Sequence, residues 1–153
     1  MQLHIIAAAN RQPAWADQAF AEYAKRFAAP LKLRYSAVRL AGHADIERGK
    51  ALEGERLLSA AGDANPLVVL DERGVGFTTR ELAGRLEGWL HDGTRPCFLI
   101  GGPDGHPETV LARADVRWSL SPLTLPHALA RVVLTEALYR AASVLAGHPY
   151  HRD

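Results

Sequence analysis

The sequence lacks the features that mark several classes of protein. Its single cysteine, Cys97, cannot form an internal disulfide, and because it lies in a short apolar run we predict that it packs rather than reacts. No apolar run approaches the roughly 20 residues that a membrane-spanning helix needs. The first residues have neither the basic flank nor the cleavage site of a secretion signal. We therefore expect one cytoplasmic domain, residues 1–153, with no membrane contact.

An excess of charge of one sign is also lacking. The 18 Lys and Arg residues and 17 Asp and Glu residues leave a net charge of +1, whereas nucleic-acid-binding domains are usually far more basic. Any such binding must therefore come from a local cluster or an assembled oligomer. No Cys/His cluster has metal-ligand spacing, and no serine or cysteine lies in a nucleophile elbow. We predict neither a metal site nor a nucleophile–histidine–acid triad.

Short apolar runs alternate with helical patterns along the whole chain. The predicted strands cover residues 3–9, 31–37, 67–70, 97–100 and 116–120. The predicted helices cover about residues 13–27, 45–61, 78–93, 107–114 and 124–147. Arg73 and Gly74 are interpreted as the turn after the third strand, and Thr124 as the cap of the last helix. The alternation favours an α/β domain with a mostly parallel five-stranded sheet and helices on both faces.

Three predicted loops follow strands, where the ligands of such sheets bind. They cover residues 70–73, 101–105 and 119–127. In the second loop, Gly101 and Gly102 would let the backbone approach a ligand closely, and Gly105 permits a positive φ. The sequence of this loop has neither the GxGxxG spacing of dinucleotide-binding proteins nor the Lys-Ser/Thr ending of a phosphate-binding loop. A tight turn therefore explains it as well as a cofactor site does.

The third loop is made rigid by two prolines. Its backbone amides and carbonyls could recognise an adenine edge while Leu123 and Leu125 sandwich the ring, although an ordinary loop is the alternative. The helix after it has apolar residues on several sides. That distribution favours oligomerisation over central burial in a monomer. The helix at 45–61 is polar, and we interpret it as a solvated face, with RNA contact as the alternative.

The C-terminal tail, residues 147–152, contains two histidines, a tyrosine and an arginine. A frayed terminus would explain it. Stacking on tyrosine and pairing of arginine with phosphate are, however, the contacts that an extruded RNA base requires.

Taken together, these segments resemble the RlmH family, the ribosomal RNA large subunit methyltransferase H group of the SPOUT methyltransferases. The matching strings are FLIGGPDG at 98–105, WSLS at 118–121, LTLPH at 123–127, RVVL at 131–134 and HPYHR at 148–152. The N-terminal half is similar in length and order, so the resemblance covers the whole chain. His106 departs from it, because an apolar residue is expected at that position.

The resemblance implies a C-terminal trefoil knot over about residues 66–153, a homodimer, and S-adenosylmethionine bound in the knot. The cofactor-binding residues that it implies are Leu70, Gly101, Gly102, Ser121, Pro122, Leu123, Thr124, Leu125 and Pro126. The implied reaction methylates N3 of a pseudouridine in 23S rRNA, with the assembled ribosome as the substrate.

For the catalytic residues we expect Tyr150, His151 and Arg152 to hold the pseudouridine and its phosphates. His151 ranks ahead of His127 as the base or orienting group, because a histidine that caps the last helix explains His127 as well. Two alternatives remain. One is a related SPOUT enzyme with another nucleotide target, and the other is a non-catalytic module that binds RNA or the ribosome.

Overall fold

The computed structural model describes residues 1–152 and contains a five-stranded, all-parallel sheet. Its strands are β1 (Gln2–Ala8), β2 (Lys32–Val38), β3 (Leu67–Val75), β4 (Cys97–Ile100) and β5 (Val116–Trp118). Their order across the sheet is β2-β1-β4-β3-β5. The predicted α/β architecture is therefore confirmed.

Five helices cover the two faces of the sheet. They are α1 (Ala14–Ala24), α2 (Ile46–Ala61), α3 (Thr79–Asp92), α4 (Glu108–Arg113) and α5 (His127–Leu145). Helix α5 packs between α1 and α3 on one face, whereas α2 packs with α4 on the other. No helix in residues 1–152 is long and apolar enough to cross a bilayer.

Each face of the sheet has its own apolar core, because neighbouring side chains of a strand point to opposite faces. Ile5 of β1 is paired with Phe98 of β4, and both belong to the core beneath α3 and α5. Ile6 is paired with Leu99, and both belong to the core beneath α2 and α4. Burial on both faces explains why these strands are continuously apolar.

Strand β3 is longer than the predicted residues 67–70. Arg73 and Gly74 do not form a turn that ends it, because a register shift lets β3 continue beside β5 as far as Val75. A Cβ atom on Gly74 would lie 2.5 Å from the carbonyl oxygen of Arg117. Glycine is thus required here for a close approach of two backbones, a demand that the sequence pattern did not reveal.

Helix termini were predicted with unequal success. The capping box of α3 is confirmed, since Thr78 accepts a hydrogen bond from the Glu81 amide and Glu81 accepts one from the Thr78 amide. The expected cap of α5 is wrong. Its N-cap is Pro126, and the hydroxyl of Thr124 donates a hydrogen bond to Glu72 instead.

A buried cation joins α5 to α1. Arg131 is 3% exposed, and its Nη1 donates to Gln12 Oε1 at 2.8 Å and to Asp17 Oδ1 at 2.7 Å. Its guanidinium carbon lies 3.6 Å from the centre of the Tyr35 ring. These contacts offset the cost of burying the charge and fix the position of α5 on the sheet.

Candidate functional site

A cavity of about 680 Å³ lies at the carboxyl end of the sheet. Residues 70–73 of β3 and the loops after β4 and β5 form most of its wall, and Lys50 of α2 lines a further side. Residues 70–73 were predicted to form a loop, but they lie within β3, which continues to Val75. The wall also includes Gly101, Gly102, Asp104, His106, Ser121, Leu123, Thr124, Leu125, Pro126 and His127. The volume is within the range of sites for small molecules.

Eight of the nine predicted cofactor-binding residues line this cavity. The eight are Leu70, Gly101, Gly102, Ser121, Leu123, Thr124, Leu125 and Pro126. Pro122 lies in the same loop but is exposed and takes no part in the wall. Leu123 is 73% exposed, so it stands at the mouth of the cavity.

Short hydrogen bonds shape the loop after β5. Ser119 Oγ donates to the carbonyl oxygen of Ser121 at 2.9 Å, and Ser121 Oγ accepts from the amide of Leu123 at 2.9 Å. Thr124 Oγ1 then donates to Glu72 Oε2 at 2.8 Å. The first two bonds fix the local turn, and the third ties the loop to the end of β3.

The glycine-rich loop after β4 is a tight turn. The amide of Gly105 donates to the carbonyl oxygen of Gly102 at 2.9 Å, and Gly105 has a φ of 83°. A Cβ atom on Gly102 would lie 2.9 Å from Glu53 Oε1 and 2.9 Å from Leu40 Cδ2. A larger residue here would therefore make the ends of these two side chains move, whatever the ligand requires.

Glu53 of α2 is a buried support for this loop that the sequence analysis missed. It is 7% exposed, and its Oε2 accepts a hydrogen bond from the amide of Ala41 at 3.0 Å. One carboxylate thus holds the segment after β2, while its other oxygen faces Gly102. The sequence offered only the polar pattern of α2, which does not show which glutamate points inward.

Two histidines in the wall have buried ring nitrogens. His106 Nε2 lies 3.3 Å from the carbonyl oxygen of Leu99, and burial lowers the pKa of His106. Within residues 1–152, neither His106 Nδ1 nor His127 Nδ1 has a hydrogen-bond partner. Buried polar atoms without partners are costly, so a bound ligand with polar groups would suit this wall.

The charges of the wall suit a cationic ligand. Asp71, Glu72 and Asp104 contribute carboxylates, and Lys50 and Arg73 contribute positive charges. Arg73 is exposed and lies 3.6 Å from Asp71, so its charge is largely offset. A wall that combines apolar residues with carboxylates fits S-adenosylmethionine, which combines an adenine ring with a sulfonium and an ammonium group.

The whole chain matches known proteins. A family model described as "Predicted SPOUT methyltransferase" covers residues 1–151. The chain belongs to the SPOUT methyltransferase family. The resemblance found in the sequence is thereby confirmed.

Full-length relatives of this SPOUT methyltransferase carry the name "Ribosomal RNA large subunit methyltransferase H". The protein from Thioalkalivibrio sulfidiphilus is 47% identical over 100% of both chains. The protein from Thiobacillus denitrificans is 48% identical over 100% of both, and that from Alkalilimnicola ehrlichii is 49% identical over 99% of both. These values show membership of that group.

One solved structure supports the fold alone. It is titled as a probable methylase family protein from Haemophilus influenzae and aligns with a TM-score of 0.59 at 13% identity. The alignment covers 99% of this chain and 70% of the other.

The tail of this SPOUT methyltransferase packs along α5. Tyr150 donates its hydroxyl proton to Glu136 Oε1 at 2.9 Å, and its ring makes an edge contact with Tyr139 at 4.7 Å between centroids. Burial and hydrogen bonds with Tyr23 and Glu136 raise the pKa of Tyr150. This phenol is therefore held neutral, which suits stacking better than proton abstraction.

The structure does not bring the tail to the cavity of the same chain. Tyr150, His151 and Arg152 are absent from the cavity wall. Their neighbour Glu136 lies nine residues after His127, which corresponds to about 14 Å along a helix. His151 is half-buried and Arg152 is exposed. Tyr150 thus lies beside the C-terminal half of α5, whereas the cavity lies at the N-terminal end of that helix.

Other reactive groups give no second site. In the described residues, no group of three or more His, Cys, Asp or Glu side chains is placed to hold a metal ion. Cys97 is buried in β4, and burial raises its pKa to about 12. A thiol that does not ionise near neutral pH is a packing residue, as predicted.

Proposed function

We propose that this chain transfers a methyl group from S-adenosylmethionine to N3 of a pseudouridine in 23S rRNA. Its full-length relatives are called ribosomal RNA large subunit methyltransferase H. The single structural observation that carries the proposal is the cavity built from residues 70–73 of β3 and the loops after β4 and β5. Its place at the carboxyl end of a parallel sheet is where such domains bind ligands.

The cofactor site consists of the cavity residues predicted from the sequence. Leu70, Gly101 and Gly102 would hold one side of the adenosine portion, and Ser121 to Pro126 the other. When bound, S-adenosylmethionine supplies an electrophilic sulfonium methyl group. The carboxylates of Asp71 and Glu72 favour its positive charge in this cavity.

The residues of this chain would orient the acceptor nitrogen and assist the loss of its proton. A reacting nitrogen must be held in line with the methyl group, and N3 of pseudouridine must lose its proton. In this proposal Tyr150 stacks on the base, Arg152 pairs with phosphate, and His151 accepts or orients the proton. The substrate is the assembled ribosome, which places the enzyme in the cytoplasm.

A homodimer with a C-terminal trefoil knot over about residues 66–153 completes the proposal. The hydrogen bond between Thr124 and Glu72 supports the knot, because it draws the chain after the edge strand β5 back across the end of β3. Trp15 and Leu129, on the mutually packed helices α1 and α5, are 51% and 37% exposed and would be covered in a dimer. The tail of one subunit would then reach the cavity of the other.

Mass spectrometry of 23S rRNA tests substrate and reaction together. Cells without the gene should lack one methyl group on a pseudouridine, and restoring the gene should return it. A missing methyl group on another nucleotide would favour a different SPOUT specificity. Unchanged rRNA, together with no binding of S-adenosylmethionine in calorimetry, would favour a non-catalytic ribosome-binding module.

A further inference from the structure

Lys50 is a cavity residue that none of the three strand loops supplies. It lies in the second turn of α2 and reaches the cavity from the sheet face opposite α5. Only 20% of its side chain is exposed. The three loops were predicted to hold a ligand, whereas this helix was interpreted as a solvated face.

The ammonium group of Lys50 has a weak counter-ion. Within residues 1–152 its ion pair is with Glu47 Oε1, 3.9 Å from Nζ, and the Glu47 side chain is 82% exposed. That distance is too long for a hydrogen bond, and a water-exposed carboxylate contributes little. A mostly buried lysine side chain with so weak a counter-ion would be stabilised by an additional anion.

Three of the carboxylates around the cavity have other partners, and Asp104 of the wall forms no ion pair with Lys50 within 4 Å. Glu53, one turn after Lys50, binds the amide of Ala41. Asp71 accepts the amide of Arg73 and lies 3.6 Å from its guanidinium. Glu72 accepts the hydroxyl of Thr124. The charge of Lys50 is close enough to His106 to add slightly to the lowering of its pKa, which burial mainly causes.

The opposite ends of the cavity suit opposite ends of the cofactor. Leu125 and Pro126 line it where the chain enters α5, and they offer an apolar surface and backbone groups to adenine. Lys50 stands on the α2 side. A cofactor with its adenine between the leucines would direct its amino-acid portion towards α2, and the carboxylate is its anionic group.

We propose that Lys50 binds the α-carboxylate of the methionine portion of S-adenosylmethionine. The inference rests on the proposed function, because it assumes that cofactor. It adds a residue from α2 to the site and assigns it one ligand group. Phosphate of the substrate RNA is the other anion that could reach this position, and the test separates the two.

The experiment compares S-adenosylmethionine with decarboxylated S-adenosylmethionine, which lacks only the carboxylate. Calorimetry without RNA measures binding and involves no turnover. Lys50→Met should weaken binding of the intact cofactor about 10- to 100-fold, as expected for loss of a charged hydrogen bond. Binding of the decarboxylated compound should not weaken, and Lys50→Arg should retain most of the affinity for the intact one.

Lys25→Met is the matched control, because it removes the same charge from an exposed lysine of the opposite sheet face. It should leave both affinities unchanged. Equal weakening of both ligands by Lys50→Met would overturn the assignment, and so would unchanged affinities with a raised KM for ribosomes, the result expected for a phosphate contact. Failure of the unmodified protein to bind either ligand would instead contradict the proposed function.

Discussion

The hydroxyl of Thr124 donates a hydrogen bond to Glu72 Oε2 over 2.8 Å, although the two residues are 52 positions apart in the chain. Both line the cavity, one from the loop after β5 and the other from β3. The pairing of β3 with β5 ends at Trp118, and the bond ties the loop after β5 back to β3 beyond that point. It therefore helps to hold two walls of the cavity together at its rim.

Thr124→Val should weaken binding of S-adenosylhomocysteine roughly 3- to 10-fold, the effect of losing one ordinary hydrogen bond. The shape of the side chain is preserved, so the fold should not change. Thr124→Ser retains the hydroxyl and should bind like the unmodified protein. Calorimetry measures the affinity of all three proteins for this ligand. Equal affinities of the Thr124→Val and Thr124→Ser variants would show that the bond does not organise the site.

Gly102→Ala should destabilise the fold by about 1–3 kcal/mol, because overpacking forces neighbours to move. Its new methyl group would meet Glu53 Oε1 and Leu40 Cδ2 at 2.9 Å. Gly88→Ala is the control, since Gly88 lies in α3 with open space around its Cβ position. That change should stabilise by up to about 1 kcal/mol. Urea unfolding of both variants checks the prediction, which fails if their stabilities shift alike.

Asp17→Asn should cost more stability than Asp63→Asn. Asp17 compensates Arg131, whose side chain is 4% exposed, so its loss leaves a buried charge poorly paired and should cost about 1–2 kcal/mol. Asp63 pairs with Arg95 at the surface, where both side chains are more than half exposed. Asp63→Asn should therefore lower the free energy of unfolding by no more than about 1 kcal/mol. Thermal and urea unfolding provide the comparison.

Two inactive variants should restore each other's activity if the tail acts across a dimer. One variant carries His151→Ala and Arg152→Ala, and the other carries Ser121→Trp, which places an indole in the cavity wall. A mixed dimer would combine an intact cavity with an intact tail. Methyl transfer to ribosomes should return to about a quarter of the normal rate after random mixing of equal amounts.

The control for this experiment carries all three substitutions in one chain and is mixed with the Ser121→Trp variant. No subunit of that mixture has an intact cavity, so no activity should return. Activity of the tail variant alone would contradict the catalytic assignment. Failure of the two inactive variants to restore activity, with mixed dimers demonstrated, would place the tail and the cavity in the same chain.

Much of the fold follows from local patterns. Continuous apolar runs such as residues 97–100 indicate strands that are buried on both faces. The spacing of Thr78 and Glu81 predicts the capping box at the start of α3. The three ligand-binding segments were located because ligands of parallel sheets bind at that edge, although residues 70–73 lie within β3 rather than in a loop. The cofactor-binding residues predicted in all three came from the resemblance rather than from periodicity.

The unpredicted features depend on contacts between distant segments. The extension of β3 to Val75 requires the backbone of Arg117 beside Gly74. Lys50 and Glu53 belong to a helix with mixed polar residues, and only packing reveals which of them face inward.

The position of α5 has a consequence for synthesis on the ribosome. Leu134 and Leu138 are fully buried at the centre of the larger core, between helices that are made much earlier. Until α5 leaves the exit tunnel, α1 and α3 cover one face of the sheet only in part. Folding must therefore finish late, and premature stop codons before α5 should yield insoluble products rather than partially active ones.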